Sequence, residues 1–101
     1  MTETDIMRLI MIECSKLGAT VWRNNVGTGY TRNGHYIRFG LCEGSSDLIG
    51  TYKGKFLAIE VKTPIGKITD KQRQFIDFVN NNGGIAGVCR NIDDLKKLLD
   101  K

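Results

Sequence analysis

The spacing of apolar residues divides the chain into alternating helix and strand signals. Over residues 4–17, Ile6, Leu9, Ile10, Cys14 and Leu17 recur every three or four positions, which predicts an amphipathic helix closed by Gly18. Thr2 and Asp5 have the spacing of a capping box at its start. A short strand follows over 19–24, with Val21 and Trp22 as its buried positions. Residues 25–35 are rich in glycine and polar side chains and read as a loop or irregular hairpin, and 36–41 as a further strand or extended approach. Two apolar runs then flank Lys53-Gly54, the natural place for a tight turn. Pro64 and Gly66 stop the second run. Thr69 and Gln72 have capping-box spacing before a helix whose buried stripe is Phe75, Phe78 and Val79, and which ends in an Asn/Gly run at 80–84. Residues 85–89 form a small-residue apolar strand, expected to be central and buried on both faces. Asn91 and Asp94 cap a last helix that turns Ile92, Leu95, Leu98 and Leu99 inward. The expected architecture is α/β: an αβββαβ core with a mixed central sheet flanked by helices, plus a C-terminal helix.

Charges interrupt this pattern in the hairpin of residues 44–62. A two-residue turn at Lys53-Gly54 sets Tyr52 opposite Lys55 and, stepping outward, Asp47 opposite Glu60. A four-residue loop keeps that register, whereas a three-residue loop shifts it by one. Carboxylates facing each other across strands repel, and oxygen ligands of this kind suit a hard cation such as Mg²⁺. Strand alternation puts Lys62 on the same face as Glu60, while Leu57, Ile59 and Val61 point into a core. The competing reading is a strand-start turn at Asp47 and a solvated strand end at Glu60 and Lys62. The apolar run over 56–61 argues for burial instead.

Gly-Ser-Ser-Asp-Leu-Ile-Gly at 44–50, Ile-Glu-Val-Lys at 59–62 and Thr-Asp-Lys-Gln-Arg-Gln-Phe at 69–75 together resemble the PD-(D/E)xK nuclease superfamily, and within it the stand-alone VRR-Nuc domain of phages and bacteria. The likeness spans nearly the whole chain. Ser46 stands where the superfamily name has proline. The resemblance implies a restriction-endonuclease-like core and a metal-dependent endonuclease that hydrolyses DNA phosphodiester bonds with Mg²⁺, or with Mn²⁺ in its place. Asp47 and Glu60 would hold the metal, with the Val61 carbonyl as a further ligand. Lys62 would orient the attacking water or stabilise developing charge, and Gln72 would fix water or Lys62. Glu13, on or beside the apolar stripe of the first helix, matches a helix-one glutamate that such nucleases place beside the metal; a solvated helix edge is the alternative. Family likeness further implies a homodimer and four-way DNA junctions as a substrate class.

Length and composition agree with this reading without selecting it. The chain has 101 residues, read as one domain over 1–101, with 41% hydrophobic and 26% charged residues. Its net charge of +4 leans towards a polyanionic partner. Arg23, Arg32 and Arg38, interleaved with Tyr30 and Tyr36, suit phosphate and sugar contacts, and Lys67 could reach a phosphate from its loop. Gly27-Thr28-Gly29 is no phosphate-binding fingerprint, since neither a third glycine nor a helix follows. Three widely spaced cysteines and a single histidine fit no zinc spacing and no Cys-His or Ser-His hydrolase. Free thiols and the absence of any membrane-length apolar run point to the cytoplasm of a bacterium or phage-infected host. DNA, duplex or branched, is the expected partner, with RNA left open. A catalytically idle or partner-dependent nucleic-acid-binding module of the same fold is the alternative function.

Overall fold

The Lys53-Gly54 turn forms with positive φ at both residues, 49° and 79°, as a two-residue hairpin turn matched to strand twist requires. The computed structural model describes residues 1–100. Helices α1 (Glu3–Leu17), α2 (Asp70–Asn81) and α3 (Ile92–Leu99) accompany strands β1 (Thr20–Arg23), β2 (Gly27–Tyr30), β3 (Tyr36–Phe39), β4 (Leu48–Tyr52), β5 (Lys55–Val61) and β6 (Ile85–Cys89). The main sheet has the order β1-β4-β5-β6. Its first two pairings are antiparallel and the β5–β6 pairing is parallel. Leaving aside β2 and β3, this is the expected αβββαβ core with a C-terminal helix.

Each helix begins where its cap sits. Thr2 and Asp5 close a capping box on α1, Thr69 and Gln72 close one on α2, and the Asn91 side chain accepts from the Asp94 N–H at α3. One face of the sheet packs Leu48, Leu57, Ile59 and Val61 against Ile6, Ile10 and Cys14 of α1 and Leu95, Leu98 and Leu99 of α3. The other face sets Ala58 and Ala86 under Ile76 and Val79 of α2. Each fully buried Leu or Ile contributes roughly 1.5–3 kcal/mol, so both helical layers are held by burial rather than by propensity. The Arg90 guanidinium donates to the carbonyls of Thr63 and Gly66, both at 2.6 Å, and ties down the loop that follows β5.

Five expectations are corrected. Strand β6 lies at the edge of the sheet, not its centre; it is nevertheless covered on both faces because α2 and α3 overlie it. Phe78 is 63% exposed and Ile76 takes its place in the core, because the face of α2 that meets the small alanines is narrower than its apolar stripe. Trp22 is exposed while its neighbour Val21 packs on the core, as strand alternation dictates. Leu9, 39% exposed, is likewise left out of the core cluster that Ile6, Ile10 and Cys14 join. The glycine-rich segment, read as a loop or irregular hairpin, is a regular antiparallel hairpin of β2 and β3 forming a sheet of its own.

Candidate active site

The β4–β5 pairing runs outward to Leu48 opposite Ile59, so one further step sets Asp47 against Glu60, as the turn position predicts. Asp47 does more than face it. Its Oδ2 accepts a hydrogen bond from the Val61 N–H at 2.9 Å, which fixes the carboxylate over the end of β5. In a strand, a residue's N–H and C=O point to the same neighbour, so the Val61 carbonyl opens towards Asp47 as well.

Glu60 is the anomaly of the core, with 2% of its surface exposed. Strand alternation sends its side chain to the α2 face, away from Ile59 and Val61. There Gln72 Nε2 donates to Glu60 Oε1 at 3.1 Å. The same Gln72 accepts at Oε1 from the Thr69 N–H at 2.9 Å. One amide thus serves as helix cap and carboxylate holder together. Glu60 Oε2 is buried and has no hydrogen-bond partner among the described residues. Burial first, then the close approach of the facing Asp47 carboxylate, push the Glu60 carboxyl up to about 8; Lys62 pulls the other way, and Glu3 adds a smaller push upward. An orphaned buried carboxylate oxygen requires an explanation.

A hard divalent cation held between the two carboxyls would provide one. The free oxygens of Asp47 and Glu60 with the Val61 carbonyl are an all-oxygen donor set, which suits Mg²⁺ or Mn²⁺ with its remaining positions left to water and phosphate. No group of three His, Cys, Asp or Glu side chains is placed to hold a metal among the described residues. Glu13 is therefore not gathered with Asp47 and Glu60. It lies about 15 Å along α1 from Glu3, at 1.5 Å per residue, and its charge acts instead on the neighbouring Cys14 thiol, pushed up to about 11 chiefly by burial. Glu3, in the first turn of α1, is the acidic side chain of this helix whose charge reaches Glu60. Helical periodicity alone did not separate the two, because both flank the Ile6–Ile10 stripe.

Asn24, just after β1, is the residue that sequence reading missed. Its backbone N–H donates to the Asp47 carbonyl at 2.7 Å. Its side-chain amide donates to Ser45 Oγ at 2.7 Å and to the Ser46 carbonyl at 2.8 Å, while its Oδ1 accepts from the Leu41 N–H at 2.9 Å. The segment carrying Asp47 is thereby fixed from two sides. Gly44 lets it approach α2: with φ at 82°, a Cβ there would meet Lys71 backbone atoms at 2.8 Å. Nothing local in the sequence marks Asn24, since all its partners are at least seventeen positions away.

The predicted basic residues are spread around this centre. Arg23 ends β1 at the Asp47 end of the sheet, Arg38 lies in β3, Arg32 is in the turn of the β2–β3 hairpin, and Lys67 is exposed in the loop before α2. Lys62, one residue past β5 and half-buried, joins Asp47 and Glu60.

The sequence profile of the VRR-NUC domain matches residues 1–92. The chain belongs to the VRR-NUC domain family. Asp47, Glu60, Lys62 and Gln72 all lie inside the matched stretch, and nearly all of α3 lies beyond it. Membership in the VRR-NUC family implies a nuclease-type function with nucleic acid as substrate. No curated protein matches the chain. No helix among the described residues is long and apolar enough to cross a membrane.

Proposed function

We propose that this chain is a divalent-metal-dependent endonuclease that hydrolyses DNA phosphodiester bonds. The observation that carries the reading is the orphaned Glu60 Oε2, buried opposite Asp47 in a family of nucleases. Asp47, Glu60 and the Val61 carbonyl would hold Mg²⁺, with Mn²⁺ able to substitute. When bound, such an ion polarises the phosphoryl oxygens and lowers the pKa of its water. Lys62 holds the attacking water or meets the charge that develops on the phosphoryl group. Gln72 keeps the Glu60 carboxylate aimed, and the N-terminus of α2 beside it favours an approaching phosphate. Asn24 keeps Asp47 in place. Arg23, Arg32, Arg38 and Lys67 contribute backbone contacts that add affinity with little sequence reading.

A homodimer acting on four-way junctions is the fuller form of this proposal. One chain measures 46 Å in its longest dimension, and Glu60 is its only buried carboxylate among the described residues, so cutting two strands of a junction symmetrically calls for two copies. Three free thiols suit a reducing cytoplasm, bacterial or phage-infected. The test incubates the purified chain with linear duplex, single-stranded, flapped and four-way-junction DNA, and with RNA, in Mg²⁺, Mn²⁺ or EDTA. Cutting that needs metal and is lost in both Asp47→Ala and Glu60→Ala supports the assignment. Binding without cutting under either metal replaces it with a binding module. A monomeric mass under working conditions removes the dimer.

A further inference from the structure

Between the β2–β3 hairpin and the loop after it lies a groove of about 580 Å³, lined among others by Thr28, Tyr36, Arg38, Leu41, Cys42 and Glu43. We infer that this groove is a subsite for an unpaired nucleotide of the substrate, a reading that rests on the nuclease function proposed above. Its volume falls within the roughly 300–1,000 Å³ of small-ligand sites. Its chemistry matches a nucleotide part by part. Tyr36 is 55% exposed, and its ring meets that of Tyr30, 74% exposed, edge to face at a centroid distance of 5.6 Å. Their cross-strand pairing places both rings on the hairpin face that carries Thr28 and Arg38. An aromatic face for a base and a guanidinium for its phosphate are the pair by which single strands are held.

Glu43 supplies the third part. Its carboxyl is held below its ordinary range, first by Lys71, at 2.8 Å, and also by the charge of Arg38. It therefore stays an ionised acceptor for exocyclic base amines, with its charge balanced by two cations. A base stacked and paired within a duplex cannot enter such a groove; one in a tail, gap, flap or branch point can. The exposed apolar side chain of Leu41, which the core does not use, lies along the groove where such a base would cover it. The groove is also tied to the reacting end of the sheet. Leu41 donates to Asn24, and Asn24 donates to the carbonyl of Asp47. A nucleotide seated there fixes the strand relative to Asp47 and Glu60.

Cys42 makes the test direct, because it lines the groove and is exposed, whereas Cys14 and Cys89 are buried. The wild-type chain, in EDTA to prevent cutting, would be mixed with a blunt duplex or with the same duplex bearing single-stranded tails. Fluorescence anisotropy reads affinity, and mass spectrometry reads the rate of Cys42 alkylation by a maleimide. The tailed duplex should bind about tenfold tighter, the order expected for one stacked base, and should slow alkylation of Cys42. Tyr36→Ala should abolish both differences and Tyr36→Phe should retain them. Equal affinities, with Cys42 alkylated at an unchanged rate under saturating tailed DNA, would overturn the subsite. If the wild type then still cuts blunt duplex in Mg²⁺ and Asp47→Ala does not, the nuclease reading stands without it. Failure to bind either DNA would overturn the subsite together with the reading on which it rests.

Discussion

The two hairpins of this protein are built by opposite rules. In β4–β5, a two-residue turn, a buried run from Leu57 to Val61 and helices on both faces hold every residue in one register. In β2–β3, glycines at 27 and 29 face Phe39 and Ile37, and every residue of β3 is exposed. A two-stranded sheet alone is marginal in water. The first hairpin can therefore hold a charged group in a strained electrostatic state, and the second presents aromatic and basic side chains to a partner. Asn24 bridges them, with the residue after β1 joined on one side to Leu41 and on the other to Ser45, Ser46 and Asp47.

If the division is right, removing a carboxylate from the buried hairpin should affect chemistry most. Asp47→Ala is expected to lower kcat/KM by on the order of 10²–10³, as for loss of one charge-stabilising group at a reacting centre. Steady-state cleavage in Mg²⁺ measures it.

The strained charge predicts a pH dependence. Glu60 has its folded pKa raised to about 8 from 4.5. Its contribution to stability is thus fully present below the unfolded value and is lost as pH rises through the folded one. Without metal, the protein should lose on the order of a few kcal/mol between those limits. Glu60→Gln should remove that slope, so that wild type and variant differ most above pH 8, as thermal melts in EDTA will show. Mg²⁺ should restore wild-type stability increasingly as pH rises, because binding it requires the carboxylate. A slope unchanged by the substitution would mean that the buried charge is relieved by another group.

The bridge between the hairpins can be cut separately. Asn24→Ala removes three side-chain hydrogen bonds and should cost about 2–3 kcal/mol in chemical denaturation. It should also weaken Mg²⁺ affinity by about 10–100-fold, as loss of a group supporting a ligand does. Asn24→Asp keeps the acceptor for Leu41 and loses the donors to Ser45 and Ser46, so it should recover only the hairpin's share. Next to Asp47, Ser46 Oγ is buried without a partner among the described residues. Ser46→Ala should therefore stabilise the fold by about 1 kcal/mol. On the exposed hairpin the expectation is smallest: Tyr30→Ala should change stability by less than about 1 kcal/mol. A larger loss would mean that the hairpin is part of the core.

What could be read from the chain alone was whatever depends on local spacing. The Lys53-Gly54 turn set the pairing of Asp47 with Glu60, because loops of two and of four residues centred there share one register and only a three-residue loop would have shifted it. The caps at Thr2, Thr69 and Asn91 were legible for the same reason, since donor and acceptor lie within three residues of each other. Tertiary structure decided what depends on neighbours distant in sequence. It put β6 at an edge, left Phe78 and Trp22 outside the core, brought the charge of Glu3 rather than Glu13 to the carboxylates, and joined Asn24 to the Asp47 segment. Above all, it set the buried Glu60 against Gln72 and left one of its oxygens without a partner among the described residues. Periodicity says which side of an element a residue occupies; only packing says what is waiting there.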